Sequence, residues 1–191
     1  MLKISATKKA LNESNPSDHE YDDKELVDNI KNSSSKSFQL IFMKYYDTLY
    51  RFIWMRTYDR EVARDLLQDV FIRVWNSRHR LDKNKSFKAY LYQISNNLII
   101  DMVRKNKTKE KIMEINKTLN YYDSEEQYYT NIDIQNAINL LPEKLKTVVI
   151  LSRFEGLNYM EIAEICQVSF QTVSYRLNKA LKLMNKYLSE K

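Results

Sequence analysis

The chain has 191 residues, 43% of them hydrophobic, and a formal net charge of +6, so it can bury one core or two small ones and suits an anionic partner. A single cysteine excludes an internal disulfide and a cysteine-held metal cluster. Two histidines and a single glycine leave neither a metal-ligand pattern nor a phosphate loop, so no cofactor and no enzyme activity are expected.

One glycine and two prolines are too few for the turns of a sheet protein, which predicts an all-α chain. Residues 1–23 mix both charges with Ser, Asn and Pro16 and show no periodicity, so they read as a flexible leader. They hold no apolar run for a signal peptide, and nothing in the chain suits a membrane span, which predicts a cytoplasmic protein with no membrane insertion of its own. Residues 23–31 make a short helix on Leu26, Val27 and Ile30. Ser37 is then the expected cap of an amphipathic helix with Phe38, Ile41, Tyr45, Leu49 and Phe52 on one face, stopping near Tyr58.

A second long helix, over residues 60–78, turns Val62, Leu66, Val70 and Val74 inward. Its outer face shows Asp65, Gln68, Asp69 and Arg73. After a short basic loop at residues 80–85, Ser86 caps a third helix whose stripe is Phe87, Leu91, Ile94, Leu98 and Met102. Three such helices close one bundle core, placing a domain at residues 24–105.

Residues 106–133 begin basic and become acidic and tyrosine-rich, which reads as a flexible linker with room for a helical extension at its start. Helical spacing resumes at Ile134, Pro142 fits the first turn of the next helix and Gly156 its C′ position. A helix–turn–helix follows. Asn158 and Glu161 form a capping box, Tyr159, Ile162, Ala163 and Cys166 make an apolar stripe, and residues 167–169 break the helix. Ser169 caps a second helix held along Val173, Leu177, Ala180, Leu181 and Met184. Its other face carries Gln171, Ser174, Tyr175, Asn178, Lys179 and Lys182, donors of several geometries on the form that fits a major groove. Spacing alone also fits an ordinary solvated helix. The expected architecture is two small helical domains, at residues 24–105 and 134–191, joined by the linker.

The segments DLLQDVFIRVW and FKAYLYQISNNLIID, followed by LPEKLKTVVILSRFEGLNYMEIAEICQVSFQTVSYRLNKAL, resemble a bacterial RNA polymerase sigma factor of the extracytoplasmic-function group. The resemblance implies conserved regions 2 and 4 on a flexible linker, with core RNA polymerase, promoter DNA and an anti-sigma factor as partners. It implies that Asp65, Gln68, Asp69 and Arg73 dock on the polymerase clamp, although without the family they read as a solvated charged face. It implies that Lys83, Asn84, Lys85, Ser86, Asn97 and Asp101 receive the minus-ten element as a melted strand. That task needs amides for a base edge and lysines for phosphates. Phe87 fits the core better, and Tyr90 and Tyr92 suit either base stacking or core packing. For the minus-thirty-five duplex, Gln171, Ser174, Tyr175 and Asn178 are the expected readers, and Thr172, Arg176 and Lys179 the phosphate holders. Arg176 suits equally a pairing with Glu155 or Glu161.

Two positions depart from the family. Gln167 stands where it often has glycine, and Tyr175 where it often has a small residue. One rival reading is a response-regulator type of helix–turn–helix regulator, which needs an α/β receiver domain that this helical front half does not suggest.

Overall fold

The computed structural model describes residues 22–112 and 132–190. Most of the expected leader and linker, residues 1–21 and 113–131, lies outside the described residues. The elements are α1 (Asp23–Lys31), α2 (Ser35–Thr57), α3 (Arg60–Asn76), a 3-10 turn (Arg78–Arg80), α4 (Phe87–Ile112), α5 (Ile132–Asn139), α6 (Glu143–Arg153), α7 (Tyr159–Cys166) and α8 (Phe170–Ser189). The fold is all-α, with no strand among the described residues, so the receiver-domain rival loses its ground.

Helices α2, α3 and α4 pack as a bundle with α1 against α2 and α4. Ile41, Leu49, Phe52, Ile53, Val70 and Leu91 are wholly buried at its centre. Phe52 meets Tyr92 of α4 edge-on, ring centroids 5.1 Å apart, and Phe42 packs on Phe71 of α3 at 4.7 Å. The start of α2 differs from expectation. Ser33 takes a positive φ of 65°, and Ser34, extended at φ −68° and ψ 107°, is the cap whose hydroxyl accepts from the Ser37 N–H. Ser37 sits inside the first turn, buried. Helix α2 ends where Tyr58 turns left-handed at φ 51°, and Asp59 caps α3 by accepting from Glu61 and Val62. Helix α4 runs on to Ile112, into the start of the stretch 106–133 read as linker, where the sequence left room for a helical extension.

Four helices, α5 to α8, build the C-terminal domain around Ile138, Val148, Ile150, Leu151, Ile162 and Val173. Pro142 is not inside the first turn of α6 but is its N-cap, because its ψ of 143° is extended. Phe154 is the C-cap, so Gly156, with φ 65°, lies one residue beyond the expected C′ position. The capping box of α7 forms as expected: Asn158 accepts from Met160 and Glu161, and Glu161 accepts from the Asn158 N–H at 2.8 Å. Gln167 is left-handed at φ 53°, the conformation that glycine takes freely and other residues only with strain. Replacing it by glycine is expected to raise stability by about 0.5 kcal/mol, the relieved strain outweighing the added freedom of the unfolded chain. Urea melts of the two proteins at one pH measure the difference, and a lower midpoint for Gln167→Gly would contradict it.

The two domains touch through α2 on α6 and α4 on α7. Arg56, only 4% exposed, donates to Glu143 at 2.8 Å and to the Asn96 amide oxygen at 3.2 Å. Lys146 stands 3.4 Å from the other oxygen of Glu143. Arg51 grips Glu155 with two parallel bonds of 3.0 Å, and the Tyr92 hydroxyl donates to the same carboxylate at 2.7 Å. Burial raises the Glu143 carboxyl, but Arg56 and Lys146 outweigh it and hold the group below its ordinary value. A carboxyl depressed in this way adds stability above its unfolded pKa and loses it as pH falls through the folded one.

Candidate nucleic-acid interface

Helix α8 is gripped along Val173, Leu177, Ala180 and Met184, all buried against the rest of the C-terminal domain. Its start is fixed by Ser169, whose hydroxyl accepts from the Thr172 N–H at 3.2 Å and pairs with the Thr172 hydroxyl at 2.9 Å. That leaves Gln171, Tyr175, Asn178 and Lys179 exposed, with Thr172, Ser174 and Arg176 half-buried at the edges of the same face. Tyr175 is 63% exposed. The Lys179 ammonium lies 5.7 Å from its ring centre and 3.5 Å from its hydroxyl, so ring and cation form one unit, of a kind that settles long side chains on a surface.

The pairing of Arg176 with Glu155 or Glu161 does not form. Glu155 is taken by Arg51 and Tyr92, and Glu161 by the cap of α7. Cys166 is half-buried. Burial pushes its thiol above the ordinary value, against the pull of the Arg176 and Arg56 guanidiniums, so the group is protonated at neutral pH.

In the other domain, Leu81 anchors the basic loop in the core. Asp82 shapes it by accepting from the Asn84 N–H at 3.0 Å, and the Ser86 hydroxyl caps α4 by accepting from Ala89 at 3.1 Å. Lys83, Asn84, Lys85 and Ser86 are exposed. Asn97 and Asp101 are exposed one turn apart on α4. Asp101 has Arg104 at 3.9 Å.

Phe87 is core, in contact with Tyr45 and Tyr90. Tyr92 is wholly buried, which settles it as a packing residue, and Tyr90 is half-buried with its hydroxyl 2.8 Å from that of Ser77. Asp65, Gln68, Asp69 and Arg73 lie together on the exposed side of α3, while Ala63, Leu67, Val70, Phe71 and Val74 fill the core behind them.

Sequence reasoning missed how α1 supports the basic loop. Asp28 stands 3.3 Å from Lys83, and Ser33 accepts from Arg78 at 3.0 Å. Arg78 also stacks on Trp75, 4.6 Å from the ring centre. Neither contact has a local signal, since each joins residues 45 or more positions apart. Among the described residues no group of His, Cys, Asp and Glu is placed to hold a metal ion, and no helix is long and apolar enough to cross a membrane.

Residues 41–109 match the family Sigma-70 region 2, and residues 131–184 match Sigma-70, region 4. RNA polymerase sigma factor SigV of Bacillus subtilis is 32% identical over 142 residues, spanning 74% of this chain and 84% of that protein. ECF RNA polymerase sigma factor SigW of the same organism is 27% identical over 181 residues, spanning 87% of this chain and 97% of its own. Among solved structures, the sigma factor RpoE in complex with the anti-sigma factor NepR, from Bartonella quintana, has a similar fold. Its TM-score is 0.70 at 20% identity, over 81% of this chain and 98% of that one.

Proposed function

Since the chain belongs to the extracytoplasmic-function group of sigma-70-family RNA polymerase sigma factors, we propose a specific division of labour among its exposed faces. The protein is an alternative sigma factor that starts transcription of a particular gene set. Asp65, Gln68, Asp69 and Arg73 on α3 dock on core polymerase. Lys83, Asn84, Lys85 and Ser86, with Asn97 and Asp101 on α4, receive the minus-ten element once it melts; the amides address an unstacked base and the lysines its phosphates. Gln171, Ser174, Tyr175 and Asn178 address base edges of the minus-thirty-five duplex, and Thr172, Arg176 and Lys179 its backbone.

The observation that carries this reading is the presence of both regions in one chain, each with a polar, solvent-facing helix surface on the opposite side from its core stripe. Two modest readers on one chain gain affinity because the second binds at high effective concentration. The protein works in the cytoplasm and turns over no substrate. An anti-sigma factor is a further partner, as NepR is for the RpoE of similar fold.

Mixing the protein with core RNA polymerase, followed by size exclusion and sequencing of run-off transcripts from fragmented genomic DNA, tests the proposal. Co-elution is expected, with transcripts starting behind one shared two-part motif. Failure to bind core, together with salt-sensitive binding to duplex alone, would overturn it.

A further inference from the structure

Helix α1 ends in a way that glycine would serve better. The Ser34 N–H donates to the Asn29 carbonyl at 3.0 Å, and the Ser33 N–H to the Ile30 carbonyl at 2.8 Å. This crossed pair is the Schellman closure, which needs a left-handed residue at its corner. Ser33 fills that corner at φ 65°, a conformation that strains any residue carrying a Cβ. Stability alone favours glycine there. What serine adds is a hydroxyl.

That hydroxyl accepts from the Arg78 Nε at 3.0 Å. The guanidinium lies 4.6 Å from the Trp75 ring centre, and its Nη1 donates to the Trp75 carbonyl at 2.9 Å. A flat cation stacked on a ring and bonded along two edges is held in one orientation. Arg78 is also joined to the basic loop through the backbone. Its carbonyl accepts from the Leu81 N–H at 3.2 Å, and Leu81 is buried. The exposed Lys83, Asn84, Lys85 and Ser86 follow directly. A second tie runs from α1 to the same loop, where Asp28 stands 3.3 Å from Lys83. Those side chains are 48% and 52% exposed, so that pair contributes little by itself. The Arg78 tie is the stronger of the two.

We infer that Ser33 and Arg78 are positioning residues of the minus-ten site: from behind the basic loop they fix where Lys83, Asn84 and Lys85 meet the melted strand, and neither touches DNA. The inference rests on the sigma-factor reading above. Its physical ground is preorganisation. A loop that receives an unstacked base binds it more tightly when the loop is already ordered before the strand arrives. The strain at Ser33 is then stability given up for recognition.

The test uses full-length protein assembled with core polymerase, on a promoter fragment recovered by the run-off sequencing. One form of the fragment is fully duplex, and the other has a mismatched, pre-melted minus-ten segment. Ser33→Gly and Arg78→Ala should each bind the pre-melted form roughly tenfold more weakly than wild type, the loss that follows a missing hydrogen bond to a charged group. Arg78→Lys keeps the charge but not the stacked plane or the second bond, and should lose nearly as much. Ser33→Gly should nevertheless melt at or above the wild-type temperature, which a loss of fold would not produce. Every variant should keep the wild-type salt slope and bind core as wild type does, because no phosphate contact is removed.

Wild-type strand binding by Ser33→Gly would overturn the inference, and so would full retention in Arg78→Lys. A salt slope shallower by about one for Arg78→Ala would make that residue a direct phosphate holder instead. An equal loss of core binding would also overturn the positioning role. Wild type is the separate control: without a promoter-dependent transcript from it the sigma reading falls, whereas a competent wild type with unaffected variants sinks this inference alone.

Discussion

Replacing Phe52 by alanine is expected to cost the protein about 3–5 kcal/mol, the range for emptying a buried aromatic site. Phe52 is wholly buried. Its ring meets that of Tyr92 edge-on and lies 5.9 Å under the Arg56 guanidinium. Three things are lost together: the apolar area, the aromatic pairing and the floor beneath a buried cation. For a chain of this length the thermal midpoint should fall on the order of 10 °C, read by differential scanning calorimetry. Phe52→Leu, which keeps most of the volume, should recover more than half of the loss. A midpoint within about 2 °C of wild type for the alanine variant would show that the bundle collapses into the cavity, and that the site does not organise the core.

The second large effect concerns the outer face of α3. Asp65→Arg with Asp69→Arg should weaken core polymerase binding by about 100-fold, or about 2.7 kcal/mol, by turning attraction into repulsion across a docking surface. Both side chains are exposed, and the core residues of α3 lie on its other side, so helicity and melting should stay near wild type. Competition between variant and wild type for limiting core, read by size exclusion, gives the ratio directly. Unchanged competition would remove this face from the docking surface and shift attention to the exposed Met43 and Ile72, 47% and 46% accessible.

Much of this was legible in the sequence, and the parts that were not share one physical cause. The helices follow from apolar spacing with polar caps, and most of the expected stripes, such as Ile41, Leu49 and Phe52 or Val173, Leu177 and Ala180, are buried. The strain at Gln167 was also readable, because its position in the turn demands a left-handed residue. Ser34 and Ser37 were confused because both are serines within one polar run, and only backbone conformation decides which is outside the helix. Periodicity tells which face is buried but not against what. Glu155 looked like a partner for Arg176, 21 residues away, yet it pairs with Arg51 across 104. Tyr92 offered base stacking or core packing from sequence alone, and its burial between Phe52 and Glu155 decides the matter.

The two domains also resist treatment as exchangeable parts. A chimaera that took its front half from this chain and its rear half from a relative would inherit Arg51 and Arg56 with whatever that relative carries opposite them. A graft lacking acids at the places of Glu143 and Glu155 would strand a guanidinium that is 4% exposed in its present setting. A rear domain transplanted from a relative is therefore expected to keep this interface only if it brings the counter-charges with it.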